Sequence, residues 1–203
     1  MVPPENTGRP GLHPLPPADL NERSLLLVKR SRLWKRIHKS AYGPLFFGKT
    51  GSSRFDDPQR EFGVLYLGED AYCAFIETFG QATGKNIVTQ AELEQHSISS
   101  ISTERPLVLV DLTGPGLARM GADARLLAGD HSVAQQWSRA LREHPEHPDG
   151  LYYRARHDPA RMAVAVWELC NAGLSVSVTV ALASTAYTSE LGKILDTYGF
   201  ELL

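Results

Sequence analysis

The segment Gly63-Val64-Leu65-Tyr66-Leu67-Gly68 sets an apolar strand between two glycines, and two residues later the periodicity of the chain changes. Asp70 stands where a helix N-cap is wanted, because its carboxylate can accept a backbone N–H of the first turn. A helical pattern then runs from residue 71 to about residue 81, with Ala71, Ala74, Phe75, Thr78 and Phe79 on the face expected to meet a core. The patterns around this junction do not repeat it. Residues 33–38 alternate like a half-buried strand, 106–112 read as a buried strand, and 151–153 as a short strand after the turn at 147–150. Residues 162–169 and 174–182 are valine-rich strand candidates. An amphipathic helix is expected over 131–143, with Val133, Trp137, Ala140 and Leu141 inward, and a terminal helix over 188–198 with Gly199 at C′. This irregular order favours an α+β fold, a mixed sheet flanked by helices, over a doubly wound one.

A chain of 203 residues suits one domain with extensions. Pro3, Pro4, Pro10, Pro14, Pro16 and Pro17 keep residues 1–23 from being helix or central strand, so they read as a flexible arm or an extended arm lying on the domain of residues 24–203. The formal net charge of −2 supplies no global field to attract nucleic acid or anionic membrane. No stretch approaches the roughly 20 apolar residues of a membrane span, and the first residues lack the basic and apolar regions of a signal peptide. The two cysteines, Cys73 and Cys170, fit neither a zinc spacing nor a disulfide scaffold, and the cytoplasm is the expected compartment.

Several motifs lead nowhere. Gly114-Pro115-Gly116-Leu117-Ala118-Arg119-Met120-Gly121 follows a strand, but its third glycine comes two residues late for a dinucleotide fingerprint. Prolines flanking His144 and His147 prevent a helix that would aim both rings at one metal ion, so no metal is expected. No Gly-x-Ser-x-Gly elbow marks a serine hydrolase, and His131 beside Ser132 is not a triad.

Two segments carry more. Lys29, Arg30, Arg32, Lys35, Arg36, His38 and Lys39 crowd one stretch, and strand alternation would place Arg36 on the same side as Trp34 and His38, an arrangement suited to a phosphate or nucleotide. The same segment could serve a nucleic-acid-binding module, although no nucleic-acid motif accompanies it. Ser52-Ser53-Arg54-Phe55-Asp56-Asp57-Pro58 precedes the Tyr66 strand, and Glu77 sits inside the apolar stretch Ala74-Phe75-Ile76-Glu77-Thr78-Phe79. A carboxylate there is costly to bury unless paired or used, so Glu77 lies either on the helix's wet side or in a site.

Taken in order, these pieces resemble the RES domain: the Arg36 strand, Arg-Phe-Asp-Asp-Pro at 54–58, the Tyr66 strand, Ala-Phe-x-Glu-Thr at 74–78, and Asp149-Gly150-Leu151-Tyr152-Tyr153-Arg154-Ala155-Arg156-His157-Asp158-Pro159. The resemblance covers roughly residues 33–168. It implies an ADP-ribosyltransferase-like fold and a toxin that binds NAD+ as substrate and cleaves its nicotinamide–ribose bond by hydrolysis or phosphorolysis. It also implies neutralisation by an Xre-type DNA-binding antitoxin that covers the pocket. Arg36, Tyr66, Glu77 and the position of Ala155 are then the expected catalytic residues, with Arg54, Tyr153, Arg154 and Arg156 binding substrate. The family serine falls at Ala155, which has no hydroxyl to donate or accept, so a weakened enzyme that still binds NAD+ is expected. The alternatives are transfer of ADP-ribose to a protein, and a catalytically silent partner of an Xre protein. No membrane or direct nucleic-acid contact is implied, and a homo-oligomer stays open.

Overall fold

The computed structural model describes residues 13–81, 84–168, 170 and 172–203 of the chain. Residues 1–12 of the proline-rich arm and Leu169, at the end of one expected strand, lie outside the described residues. The strands are β1 (Leu27–Arg30), β2 (Trp34–Lys39), β3 (Val64–Gly68), β4 (Ile87–Val88), β5 (His96–Thr103), β6 (Leu107–Asp111), β7 (Gly150–Arg154), β8 (Met162–Trp167), β9 (Leu174–Ala181) and β10 (Glu201–Leu202). The helices are α1 (Ala71–Phe79), α2 (Gln90–Glu94), α3 (Pro115–Met120), α4 (Arg125–Ala128), α5 (His131–Arg142) and α6 (Thr188–Tyr198). The expected α+β class holds, with an eight-stranded mixed sheet in the order β1-β6-β7-β8-β3-β2-β5-β9 and a small β10-β4 pair. Among the described residues only β6 and β7 run parallel within the large sheet, and α3, α4 and α5 occupy their connection, as a parallel crossover requires.

Alternation along the strands sorts side chains into two faces. On β3, Val64 and Tyr66 belong to a core with Trp137 and Leu141 of α5, while Leu65 and Leu67 join Trp34, Ile101, Leu109 and Val164 on the other side. A third cluster packs Phe75 and Ile76 of α1 with Leu191 and Ile194 of α6 against Ile37 and Ile98. Asp70 caps α1 as expected, its side chain accepting from Cys73 N. The helix starts very close to the strand before it. A Cβ on Gly68 would stand 2.8 Å from Ala74 N, so only glycine lets α1 lie against the end of β3.

Residues 13–23 lie on the α3–α5 side of the molecule. His13 is buried, accepting from Asp123 N and meeting the Trp137 ring edge-on, and Trp137 Nε1 donates to Pro14 O at 2.8 Å. His144 is a structural side chain, its Nε2 near Leu20 O and Arg23 O. The glycine-rich run at 114–121 forms the short helix α3, closed by left-handed Gly121. Among the described residues no helix is long and apolar enough to cross a membrane.

Candidate active site

The site opens where the sheet parts. Antiparallel register through the Lys35–Gly68 pair would set Arg36 opposite Leu67 and Ile37 opposite Tyr66, yet among the described residues β2 and β3 are paired only at Lys35–Gly68. A cavity of about 620 Å³ occupies the gap, with residues 35–37 on one wall and 66–68 on the other. That volume lies within the range of small-molecule sites.

Helix α1 forms a third wall. Cys73, Ala74, Glu77 and Thr78 border the cavity from one helical face, and Gln81 borders it just past the helix end. Glu77 therefore faces the cavity rather than bulk solvent. Its Oε1 accepts the His157 N–H at 3.1 Å, which fixes the side chain, while Oε2 has no partner among the described residues. The Cys73 thiol is pushed up to about 12, first by burial and then by the Glu77 charge, so it is no nucleophile at neutral pH.

The loop before β3 supplies Ser52, Ser53, Arg54 and Phe55. Arg54 Nη1 donates to Gly129 O at 2.8 Å. Burial and then the neighbouring Arg156 charge lower its pKa, against pulls from Tyr153, Glu77 and Tyr66, so these five side chains share one electrostatic neighbourhood. Tyr66 borders the cavity with its ring, but its hydroxyl is committed. It donates to Asp56 Oδ1 and accepts from Phe55 N, each at 3.0 Å. Burial and the Asp56 carboxylate hold the Tyr66 phenol protonated.

The end of β7 closes the site with Tyr153, Arg154, Arg156 and His157. The Tyr153 ring meets Phe55 edge-on at 5.0 Å, and burial followed by the Glu77 charge raises its pKa well above the ordinary value. Its hydroxyl has no hydrogen-bond partner among the described residues, and the side chain borders the cavity. Arg154 donates to Pro159 O, whereas Arg156 has no hydrogen-bond or ion-pair partner among the described residues.

Charge is segregated here. Lys35, Arg36, Arg54, Arg154 and Arg156 border the cavity, and Glu77 is the lone carboxylate among the lining residues. None of the five cations makes an ion pair among the described residues. Arg36 Nη1 instead donates to the carbonyls of Pro44 and Phe46, and Lys35 Nζ donates to Ser100 Oγ. Burial lowers Arg36 to about 10, which leaves it cationic at neutral pH. Such a cavity suits a polyanion, with one carboxylate available to an electron-poor centre. Among the described residues no cluster of His, Cys, Asp and Glu could hold a metal ion.

A sequence profile of the RES domain matches residues 33–188, most of the chain. The chain belongs to the RES domain family. "Probable toxin y4kH" of Sinorhizobium fredii (strain NBRC 101917 / NGR234) is 34% identical over 115 residues, which are 56% of this chain and 87% of that protein. In fold, the RES chain is similar to one from the crystal structure of the M. tuberculosis MbcT–MbcA toxin–antitoxin complex. That likeness has a TM-score of 0.65 and 19% identity, and it covers 82% of this chain and 92% of the other.

Within this RES domain, the residues expected from sequence converge with one exception. Arg36, Arg54, Tyr66, Glu77, Tyr153, Arg154 and Arg156 border a single cavity. Ala155 does not. It is 1% exposed and belongs to the core cluster that also holds Cys73, Tyr153 and Ala163. A serine there would stand behind the cavity wall. Trp34 packs in the core with Leu65 and Ile101 and does not border the cavity, and Arg36 is held by the backbone carbonyls of Pro44 and Phe46. Sequence reasoning missed Lys35, Gln81, His131 and His157, which border the cavity. Lys35 sits one residue from the expected arginine, but alternation had sent it to the other face.

Proposed function

We propose that this RES protein is the toxin of a toxin–antitoxin pair, that it binds NAD+ and breaks the nicotinamide–ribose bond, and that an Xre-type antitoxin restrains it by covering the cavity. The observation that carries this reading is one carboxylate, Glu77, set among five cations that make no ion pair among the described residues, in a cavity at the parting of β2 and β3. Kinship with a probable toxin, and a fold like that of a chain in a toxin–antitoxin complex, support the biological role.

In this reading Arg54 and Arg156 take the pyrophosphate, where planar guanidinium groups match the oxygens. Glu77 stands at the ribose. Loss of nicotinamide leaves positive charge on the sugar, much as in glycoside hydrolysis, and a fixed carboxylate stabilises that charge as it develops. The backbone N–H of His157 on Oε1 leaves Oε2 for the ribose. Tyr153 offers a protonated hydroxyl to substrate, while Tyr66 spends its own on Asp56 and holds the Arg54 loop against β3. A water or phosphate then attacks the ribose carbon.

The test is NAD+ consumption with product analysis by mass spectrometry, for the wild type and for Glu77→Gln. Glutamine keeps an acceptor for the His157 N–H and loses the charge, so turnover should fall about 10²–10³-fold with NAD+ binding retained. Free nicotinamide with ADP-ribose or its phosphorylated form is the expected product. Label attached to protein would indicate transfer instead, and a wild type that neither binds nor consumes NAD+ overturns the reading.

A further inference from the structure

Helix α5 carries a polar stripe whose purpose is not visible from the cavity. His131, Gln135, Ser138 and Arg139 fall on one face by helical spacing, and each meets the loop that bears Arg54. His131 Nδ1 lies 3.1 Å from Ser52 O. Gln135 Nε2 donates to Gly51 O at 2.8 Å and to Ser53 O at 3.0 Å. Ser138 Oγ donates to Phe55 O at 2.7 Å and accepts from Trp167 Nε1. Arg139 binds both oxygens of the buried Asp57 carboxylate.

The pattern centres on Arg54. The carbonyls immediately before and after it, Ser53 O and Phe55 O, are both taken by α5 side chains. Its guanidinium donates to Gly129 O, two residues ahead of the same helix. Backbone and side chain are thus referenced to one rigid body. Gln135 and Ser138 are themselves buried and do not border the cavity, so neither can touch a ligand there. Burying polar groups costs stability unless they are paired, and the partners found for them are the loop carbonyls beside Arg54 and the Trp167 indole.

We propose that Gln135 and Ser138 are positioning residues that hold Arg54 where it can engage an anionic substrate. The substrate named, the pyrophosphate of NAD+, rests on the function proposed above. Arg54 is otherwise a long side chain on a loop, and a small displacement of such a group is enough to lose a bidentate contact. The stripe does not reach Glu77, which belongs to α1, so its loss should weaken binding and spare the chemical step.

The experiment uses the full chain and compares wild type, Gln135→Met and Ser138→Ala. Far-UV circular dichroism and thermal midpoints establish that each variant is folded. Binding of inorganic pyrophosphate and of ADP-ribose is measured by titration calorimetry, and KM and kcat are measured for NAD+. In Gln135→Met the Kd for both anions and the KM should rise together by about five- to a hundredfold, the loss of two neutral hydrogen bonds, with kcat nearly unchanged. Ser138→Ala should move the same quantities in the same direction and carries the comparison if Gln135→Met does not fold. Wild-type affinity for pyrophosphate in a folded variant overturns the proposal, as does a fall in kcat at constant KM. A wild type that binds no pyrophosphate or ADP-ribose also overturns it. If the wild type binds both anions but leaves NAD+ intact, the proposed reaction fails, while weaker anion binding in the variants still supports the positioning role.

Discussion

Replacing Ala155 by serine restores the residue type that the family resemblance leads one to expect, and the structure predicts a loss of stability rather than a gain of activity. Ala155 is 1% exposed, and its backbone N–H is already spent on Arg161 O at 3.0 Å. The added hydroxyl would enter a cluster shared with Cys73, Tyr153 and Ala163, where the Cys73 thiol already donates to Met162 O. A buried hydroxyl without a partner costs about 1–3 kcal/mol. Partial relaxation toward the Tyr153 side, where the cavity begins, sets the expectation near 1–2 kcal/mol. For a chain of this length that is a fall in Tm of about 2–8 °C. Differential scanning fluorimetry of wild type and Ala155→Ser reads it directly, alongside NAD+ consumption at matched folded concentration. Turnover should change by no more than about threefold, because a hydroxyl that does not reach the substrate contributes at most the low end of the roughly 0.5–1.5 kcal/mol range of a neutral hydrogen bond. A rise in turnover of tenfold or more, or a Tm above wild type, would refute the reasoning and place position 155 in contact with the reacting groups.

Asp57→Asn should destabilise the protein by about 3 kcal/mol, the scale for breaking a buried ion pair, and should flatten its response to acid. Burial raises the Asp57 carboxyl, but the Glu61 N–H, the Arg139 guanidinium and the Gln59 N–H outweigh it and hold the pKa below the ordinary value. A depressed folded pKa means stability present above the unfolded value and lost as pH falls through the folded one. Wild-type Tm should therefore drop more steeply than that of Asp57→Asn below about pH 4, and parallel curves would remove Asp57 from the account. Deleting residues 1–16 removes His13 and Pro14 from Trp137, so tryptophan emission should shift to longer wavelength and the urea midpoint should fall. Unchanged emission would mean that the arm does not cover that ring in solution.

The fold was legible wherever burial followed a single period. Asp70 before α1, Gly199 after α6 and the valine runs of β8 and β9 each carry a local physical signature, and the elements lie within a residue or two of expectation. Strand β5 was not legible, although it lies in the middle of the β2-β5-β9 half of the sheet. Its sequence, His-Ser-Ile-Ser-Ser-Ile-Ser-Thr, has no apolar alternation, and a register irregularity between Ser100 and Ile101 breaks the period further. What replaces alternation is cross-strand pairing. His38 Nε2 meets Ser99 Oγ, Ser99 meets Thr179, Ser40 meets Ser97 and Lys35 meets Ser100. Polar side chains can fill a buried strand when neighbours supply most of their partners, and those neighbours are distant in sequence. Strand β1 was hidden differently, because Lys29 and Arg30 made the segment read as solvated charge.

The site was legible as residue types and invisible as an electrostatic object. A net charge of −2 is a property of the whole chain. It says nothing about where charges of each sign lie. Arg23, Arg32, Arg105, Arg125, Arg139 and Arg161 are each paired with a carboxylate. Lys35, Arg36, Arg54, Arg154 and Arg156, drawn from three separate stretches of sequence, make no ion pair among the described residues, and they meet around one cavity. The difference has a cost. Burial lowers the pKa of both Arg36 and Arg54, so these cations are partly desolvated without an ion-pair partner among the described residues. Backbone carbonyls satisfy some of their N–H groups but bring no negative charge. An arrangement that holds desolvated cations together, with one carboxylate fixed among them by a backbone N–H, is unfavourable for the empty protein and becomes favourable when an anion enters. Glu77→Gln separates the two roles because it removes the one negative charge: anion binding should hold or tighten while turnover falls.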